Sequence, residues 1–127
     1  MKRVEIYLSG ICNDIKEEVQ NLLGRVLLKL DTQYIEVFYN RRGGYIGFHS
    51  GEKLCKEPFN LLFIYMTQSE NEGKTHVLIE SEVPSNVEVI NYQAYLRGRV
   101  CRYLLDRGFK LDRIVVVKEE TLYCRQG

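Results

Sequence analysis

Residues 34–49, YIEVFYNRRGGYIGFH, decide the fold class of this chain. The two halves of the segment, 34–40 and 44–49, are rich in β-branched and aromatic residues, which favour strands. The NRRGG sequence at 40–44 joins them, and asparagine and glycine readily adopt the positive φ that a tight hairpin turn needs. The segment therefore predicts a β-hairpin. Antiparallel pairing in the middle of the chain argues against a doubly wound parallel fold.

Further segments on both sides of this hairpin have the pattern of strands. Residues 3–9 and 75–83 alternate between apolar and polar side chains, as half-buried strands do. Residues 61–67 are almost continuously apolar, which predicts a central strand covered on both faces. Residues 113–117 form a last apolar strand, and 121–124 either extend it or pair back on it as a short hairpin.

Two segments have helical periodicity. In 14–30, Asn13 or Asp14 can cap the N-terminus, and apolar residues then recur at helical spacing. In 88–106 the apolar residues cover a wide arc, and Gly108 is placed to follow the helix as its C′ residue. The apolar stripe of the first helix contains Ile15, Val19, Leu22, Leu23, Val26 and Leu30.

These segments give the order β-α-β-β-β-β-α-β. We expect an α+β fold, in which a mostly antiparallel sheet carries both helices on one face. The chain has 127 residues, of which 45% are apolar and 28% charged, so we expect a single domain over 1–127 and exclude a disordered chain. No apolar run is long enough to cross a membrane, and the first residues lack the apolar core of a signal peptide. The sequence therefore predicts a cytoplasmic, intracellular protein without a membrane partner.

The cysteines do not form a recognisable site. Cys12, Cys55, Cys101 and Cys124 are far apart in the sequence, with no Cys-x-x-Cys spacing. We therefore expect free thiols in a reducing compartment, although the sequence alone leaves disulfides open. Phosphate-binding loops, dinucleotide fingerprints and hydrolase motifs are missing as well. We expect no cofactor and favour a protein that is not an enzyme.

One strand offers a possible metal site. His76, Glu80 and Glu82 point to the same face of the strand 75–83, and a carboxylate from a neighbouring strand could complete a divalent metal site. This would make the protein a metal-dependent hydrolase or nuclease. Exposed strands commonly carry such glutamates without a metal ion, so this function is an alternative and we predict no metal.

Charge is distributed unevenly along the chain. Residues 85–115 contain six Lys or Arg and three Asp or Glu, a net charge of +3, whereas residues 1–84 contain ten and twelve, a net charge of −2. The overall net charge of +1 excludes a polycation that coats nucleic acid without specificity. It does not exclude a local surface that binds anions.

The hairpin also resembles part of a known family. Ile6-Tyr7-Leu8 is similar to the ribonucleoprotein motif that comes first in RNA-recognition domains, and Arg42-Gly43 with residues 45–48 (YIGF) is similar to the second. The resemblance covers about the first 50 residues. An additional glycine changes the spacing of the second motif, Gly47 takes the place of a stacking ring, and the next segment predicts strands where the family has a helix. We do not assign the chain to that family.

Basic and aromatic residues together suggest weak binding of nucleic acid. Cations neutralise phosphates and aromatic rings stack on bases. The predicted surface joins the hairpin to the second helix, and the function would be binding of RNA or single-stranded DNA. Its residues are Arg41, Arg42, Tyr45, Arg99 and Arg102.

The wide apolar arc of the second helix leads to two further expectations. The arc exceeds what one sheet contact requires, so residues 90–105 could join two copies in a homodimer that acts as a non-catalytic interaction module. Arg97 lies within the arc and either extends its guanidinium to solvent or makes a fixed contact with an anion. Glu80 or Glu82 would be the partner in the second case.

Overall fold

The computed structural model describes residues 2–26, 33–50, 60–69, 71, 73–83 and 87–118. It is an α+β fold with six strands and two helices in the predicted order. The strands and helices observed are β1 (Lys2–Gly10), α1 (Ile15–Val26), β2 (Gln33–Tyr39), β3 (Gly43–Ser50), β4 (Asn60–Gln68), β5 (Thr75–Val83), α2 (Val87–Asp106) and β6 (Lys110–Lys118). The expectations for 27–30 and 121–124, and for residues Cys55 and Cys124, lie outside the described residues.

The strands form one sheet in the order β2-β3-β4-β5-β1-β6, and every neighbouring pair is antiparallel. The order follows from short connections in the middle of the chain, which place β2 to β5 side by side as consecutive neighbours. β1 then lies between β5 and β6, so the first strand is an inner strand of the sheet. The predicted antiparallel sheet with two helices is confirmed.

Both helices pack on one face of the sheet, which we call the helix face. α1 contacts α2 and β3, and α2 also contacts β4, β5 and β6. Alternate residues of each inner strand point into this layer, so the core forms between the sheet and the helices. The largest fully buried side chains are Phe48, Leu8, Leu22, Ile46, Leu62, Ile64, Ile79, Leu96, Leu104, Gln93 and Val19.

The opposite face, which we call the open face, has no described helix against it. Residues 61–67 do belong to a central strand, as predicted, but among the described residues only one face of it is covered by helices. In β4, Leu62 and Ile64 are buried on the helix face, whereas Phe63 and Tyr65 are half-buried on the open face. Phe63 and Tyr65 make the sequence of this strand continuously apolar. Their rings pack against neighbouring rings rather than against a second layer of described residues.

The helix ends agree with the predicted signals. The Oδ1 atom of Asp14 accepts a hydrogen bond from the backbone N–H of Glu17 at 3.2 Å, as an N-cap residue does. Gly108 follows α2 with φ of 96°, a conformation that glycine adopts without steric cost. Within the described residues no helix is long and apolar enough to span a membrane.

A buried carboxylate holds the two helices together. Glu18 of α1 is only 4% exposed. It accepts hydrogen bonds from the hydroxyl of Tyr103 at 3.0 Å and from Nε of Arg107 at 3.1 Å. Its negative charge raises the pKa of Arg107 through this hydrogen bond. The end of α2 is thereby fixed to the first turn of α1.

Candidate nucleic-acid interface

A row of side chains crosses the whole open face, with one residue from each strand. Strand register places these residues directly opposite one another, so their side chains point to the same side of the sheet. Neighbouring strands lie about 4.8 Å apart, so the row is roughly 24 Å long. We call it the aromatic row, and from β2 to β6 it contains Phe38, Tyr45, Tyr65, Leu78, Tyr7 and Arg113.

Two rings of the row are stacked on each other, and a third contacts a cation. Tyr45 and Tyr65 are stacked, with centroids 5.6 Å apart and an interplanar angle of 20°. The guanidinium of Arg113 lies 4.2 Å from the ring centroid of Tyr7, close enough for a cation–π contact. Phe38 at the β2 end is 58% exposed. The row therefore presents both stacked rings and an exposed ring to solvent.

Gly47 explains how an additional ring enters this surface. A Cβ atom at Gly47 would lie 2.5 Å from Cε1 of Phe63, so the phenyl ring occupies the space above the glycine. There it meets Tyr45 and Tyr65 edge-on, with centroids 5.8 Å away in both cases. The glycine thus leaves room for a ring supplied by the neighbouring strand.

A second row on the open face carries carboxylates. Register places Glu36, Gly47, Phe63, Glu80 and Glu5 side by side, next to the aromatic row. Nε of Arg3 lies 3.1 Å from the Glu5 carboxylate, so this row carries carboxylates at Glu36 and Glu80 and an ion pair at Glu5.

Hydrogen bonds connect the two rows. The hydroxyl of Tyr45 donates to Glu36, and that of Tyr7 donates to Glu5 at 3.1 Å. The first contact lowers the pKa of Glu36 and raises the pKa of Tyr45 to about 12. Burial, and then the charge of Glu80, raise the pKa of Tyr65. Tyr45 and Tyr65 therefore keep their protons at neutral pH.

A cavity interrupts the aromatic row between Tyr65 and Tyr7. It has a volume of about 360 Å³ and lies over Leu78, the one aliphatic member of the row. His76 and Asp112 also line the cavity. An apolar floor with a ring on each side can accept a flat ligand group such as a nucleobase.

The predicted arginines of the hairpin lie at the β2 end of this face. Oδ1 of Asn40 accepts hydrogen bonds from the backbone N–H groups of Arg42 at 2.8 Å and Gly43 at 3.1 Å, which shapes the turn. Arg41 and Arg42 are exposed. Arg42 lines a shallow cavity of about 320 Å³ together with Tyr45 and members of the neighbouring strands. The structure therefore brings Arg42 and Tyr45 together.

The other two predicted residues are on a different surface. Arg99 and Arg102 belong to α2, which packs on the helix face, whereas Tyr45 points to the open face. The sheet lies between the two groups. The five residues thus form two separate surfaces and not the single one that the sequence suggested.

Arg97 has a partner other than the expected glutamates. Its Nη1 atom donates a hydrogen bond to the hydroxyl of Ser81 at 2.7 Å. Glu80 and Glu82 flank Ser81 in the sequence and therefore point to the open face, away from α2. Burial lowers the pKa of Arg97. The guanidinium is neither extended fully into solvent nor paired with either glutamate.

The suggested metal ligands are not gathered into a site. In the part of the chain that the structure describes, no group of three or more His, Cys, Asp or Glu side chains could hold a metal ion. His76, Glu80 and Glu82 share the open face but are spread along β5. Cys12 and Cys101 are free thiols.

Comparison with known proteins does not add a function. No family model matches the sequence, and the curated proteins give no match.

The aromatic row as a unit was missed by sequence reasoning. Alternation within a strand predicts which residues of that strand share a face with Tyr7 or with Leu78. It does not say which strands are neighbours. The pairing of β1 with both β5 and β6 brings Tyr7 between Leu78 and Arg113. Listing the tyrosines in strands with an alternating apolar and polar pattern would have identified candidate residues. It would not have shown that they align across the sheet.

Proposed function

We propose that the protein binds single-stranded nucleic acid, RNA or DNA, along the aromatic row of the open face. One observation carries this proposal: the rings of four strands are aligned in one row, with a cavity of about 360 Å³ over Leu78. Aromatic side chains bind unpaired bases by stacking, and this contact tolerates any base sequence. We place this activity in the intracellular setting that the sequence predicts.

The charges of the open face determine how a strand would lie. Arg42 and Arg113 stand at opposite ends of the row and can each contact a phosphate. Glu36 and Glu80 repel phosphates on one side of the row, so the sugar–phosphate backbone would follow the other side. The carboxylates can then accept hydrogen bonds from the amino groups of bases.

The small number of cations predicts weak binding with a shallow salt dependence. Each phosphate contact on a single strand contributes about 0.7 to the slope of log K against log salt. Replacing both Arg41 and Arg42 by alanine should therefore lower the slope by up to about 1.4. The same pair of changes at Arg99 and Arg102 is a matched control on the other surface and should leave the slope unchanged.

The central test removes one ring from the row. Stacking of one base on an aromatic side chain contributes about 1–3 kcal/mol, so Tyr65→Ala should weaken binding of a labelled oligonucleotide by about 5- to 150-fold at low salt. Tyr65→Phe keeps the ring and should bind like the wild type. Fluorescence anisotropy with a short single strand measures both. Failure of the wild type to bind at about 50 mM salt, or equal losses in the two variants, would refute the proposal.

The alternative function, a homodimer joined through residues 90–105, has less support. Leu96, Val100 and Leu104 of α2 are already buried within one copy of the chain. The exposed side of the helix carries Arg99 and Arg102, which two symmetric copies would bring face to face. We therefore keep the homodimer as the second candidate, tested by the oligomeric state of the protein.

A further inference from the structure

A third row of side chains on the open face borders the aromatic row on the side away from Glu36 and Glu80. Its members in β4, β5 and β1 lie two positions from those of the aromatic row, so they point to the same face about 7 Å away along each strand. The proposed single strand places its sugars and phosphates on this side. We call this third row the polar row, and from β4 to β6 it contains Thr67, His76, Ser9 and Lys110.

An irregularity in β6 adds Asp112 to the polar row. The register between β1 and β6 shifts beyond the pair of Tyr7 with Arg113, which leaves Asp112 without a register partner in β1. Asp112 is therefore the additional residue of a β-bulge, a feature that redirects a side chain. Its Oδ1 atom accepts a hydrogen bond from the hydroxyl of Ser9 at 3.0 Å, and its side chain lines the cavity of the aromatic row.

Asp112 stands between two cations, on the side of the aromatic row where the phosphates would lie. Lys110 and Arg113 are both on the open face and can each contact a phosphate. The carboxylate of Asp112 cannot, because two negative groups repel each other. The sugar–phosphate backbone of RNA has one hydrogen-bond donor on each nucleotide, the 2′-hydroxyl, and DNA lacks it. A carboxylate has about four lone-pair sites, and Ser9 uses one of them, so Asp112 can accept this donor.

We propose that the open face selects RNA over DNA, because Asp112 accepts a hydrogen bond from the 2′-hydroxyl of the nucleotide in the cavity over Leu78. This inference rests on the proposed function, since it requires a single strand along the aromatic row. Tyr65 and Tyr7 would hold the base, and the hydroxyl of Ser9 fixes the carboxylate that meets the ribose. Against DNA the same carboxylate would lose water without gaining a donor, so DNA would bind more weakly.

Strands that differ only at the 2′ position test this contact. Fluorescence anisotropy at low salt would compare a short oligouridylate, the corresponding oligodeoxyuridylate, and a strand with fluorine in place of each 2′-hydroxyl. The RNA should bind about tenfold more tightly than the other two, since both lack a hydrogen bond to a charged group. The fluorinated strand keeps a sugar shape like that of RNA, so it separates the hydroxyl contact from a preference for that shape. This comparison uses the wild type and needs no variant.

Asp112→Ala tests the same contact from the protein side. The variant loses a negative charge, which strengthens binding of RNA and DNA alike, so the ratio of the two affinities reports the hydroxyl contact. That ratio should fall to about one. Asp106→Ala is the matched control, because it removes the same charge from an exposed side chain of α2, and it should keep the preference for RNA.

The inference is wrong if the wild type binds RNA and DNA equally, if the fluorinated strand binds as the RNA does, or if Asp112→Ala keeps the preference for RNA. Equal binding of RNA and DNA would leave the proposed function standing. Lack of binding to all three strands would instead refute the proposed function and this inference together.

Discussion

Two phenylalanines on opposite faces of the sheet should differ sharply in their contribution to stability. Phe48 of β3 is fully buried on the helix face, and Phe63 of β4 is half-buried on the open face. Truncating each of them to alanine makes the same chemical change on neighbouring strands. The comparison therefore tests whether the two faces are core and surface, as the structure describes.

The expected magnitudes follow from burial and ring contacts. Phe48→Ala removes a ring from a closed core and leaves a cavity, which costs about 3–5 kcal/mol of the free energy of unfolding. Phe63→Ala loses partial burial and its edge-on contacts with Tyr45 and Tyr65, and no closed cavity forms because the face is open. That change should cost about 1–2 kcal/mol.

Equilibrium unfolding in urea measures both variants. A folded chain of 127 residues has a free energy of unfolding on the order of 6–19 kcal/mol, so both variants should remain folded enough to analyse. The midpoint should fall much further for Phe48→Ala than for Phe63→Ala, with similar slopes. Equal losses would mean that the open face is covered as well as the helix face. That result would remove the surface on which the aromatic row depends.

Three further predictions concern protons, thiols and assembly. Glu36→Gln should lower the pKa of Tyr45 from about 12 toward the ordinary value of about 10, as followed by tyrosinate absorbance. Because this pKa is raised by folding, the stability that the contact contributes is present below about pH 10 and is lost as the pH rises from there toward 12. Burial raises the pKa of the Cys12 and Cys101 thiols, so both should react slowly with an alkylating reagent at neutral pH and much faster in denaturant, as mass spectrometry can measure. Light scattering should find a monomer at high concentration, and a dimer that Ala94→Glu dissociates would instead establish the homodimer as the better function.

The sequence predicted the secondary structure well because each element has a strong local pattern. Asn40 in the hairpin turn, the capping residue Asp14 and the terminating Gly108 all act within a few positions of the backbone that they shape. The positive φ predicted for the turn is wrong, because the described residues with positive φ are Gly73 and Gly108, and the side chain of Asn40 shapes the turn instead. Whether one face or both faces of β4 are covered could not be predicted in this way. A continuous apolar run arises both from two covering layers and from one layer plus a cluster of rings, and only the neighbours of Phe63 and Tyr65 distinguish the two cases.

Long-range register limited the prediction of the site. Arg42 and Tyr45 are close in sequence and line the same shallow cavity, and Arg41 is exposed in the adjoining turn. The expectation that Arg99 and Arg102 would join them required α2 to pack on the face of the sheet to which Tyr45 points. Buried Gln93 was missed for a similar reason, since its Nε2 donates to the backbone oxygen of Glu82, an acceptor that no helical pattern reveals.

The inner position of β1 has a consequence for how the chain folds. Ile6 pairs with Ile79 on one side and with Ile114 on the other, so the first strand gains both neighbours only after most of the chain is available. Contacts between such distant segments form late, because the loop must close before any pairing stabilises it. During synthesis β1 is therefore made before its partner strands β5 and β6 and can pair with them only later. Folding of this domain should be slow for its size and should finish only after α2 has been made.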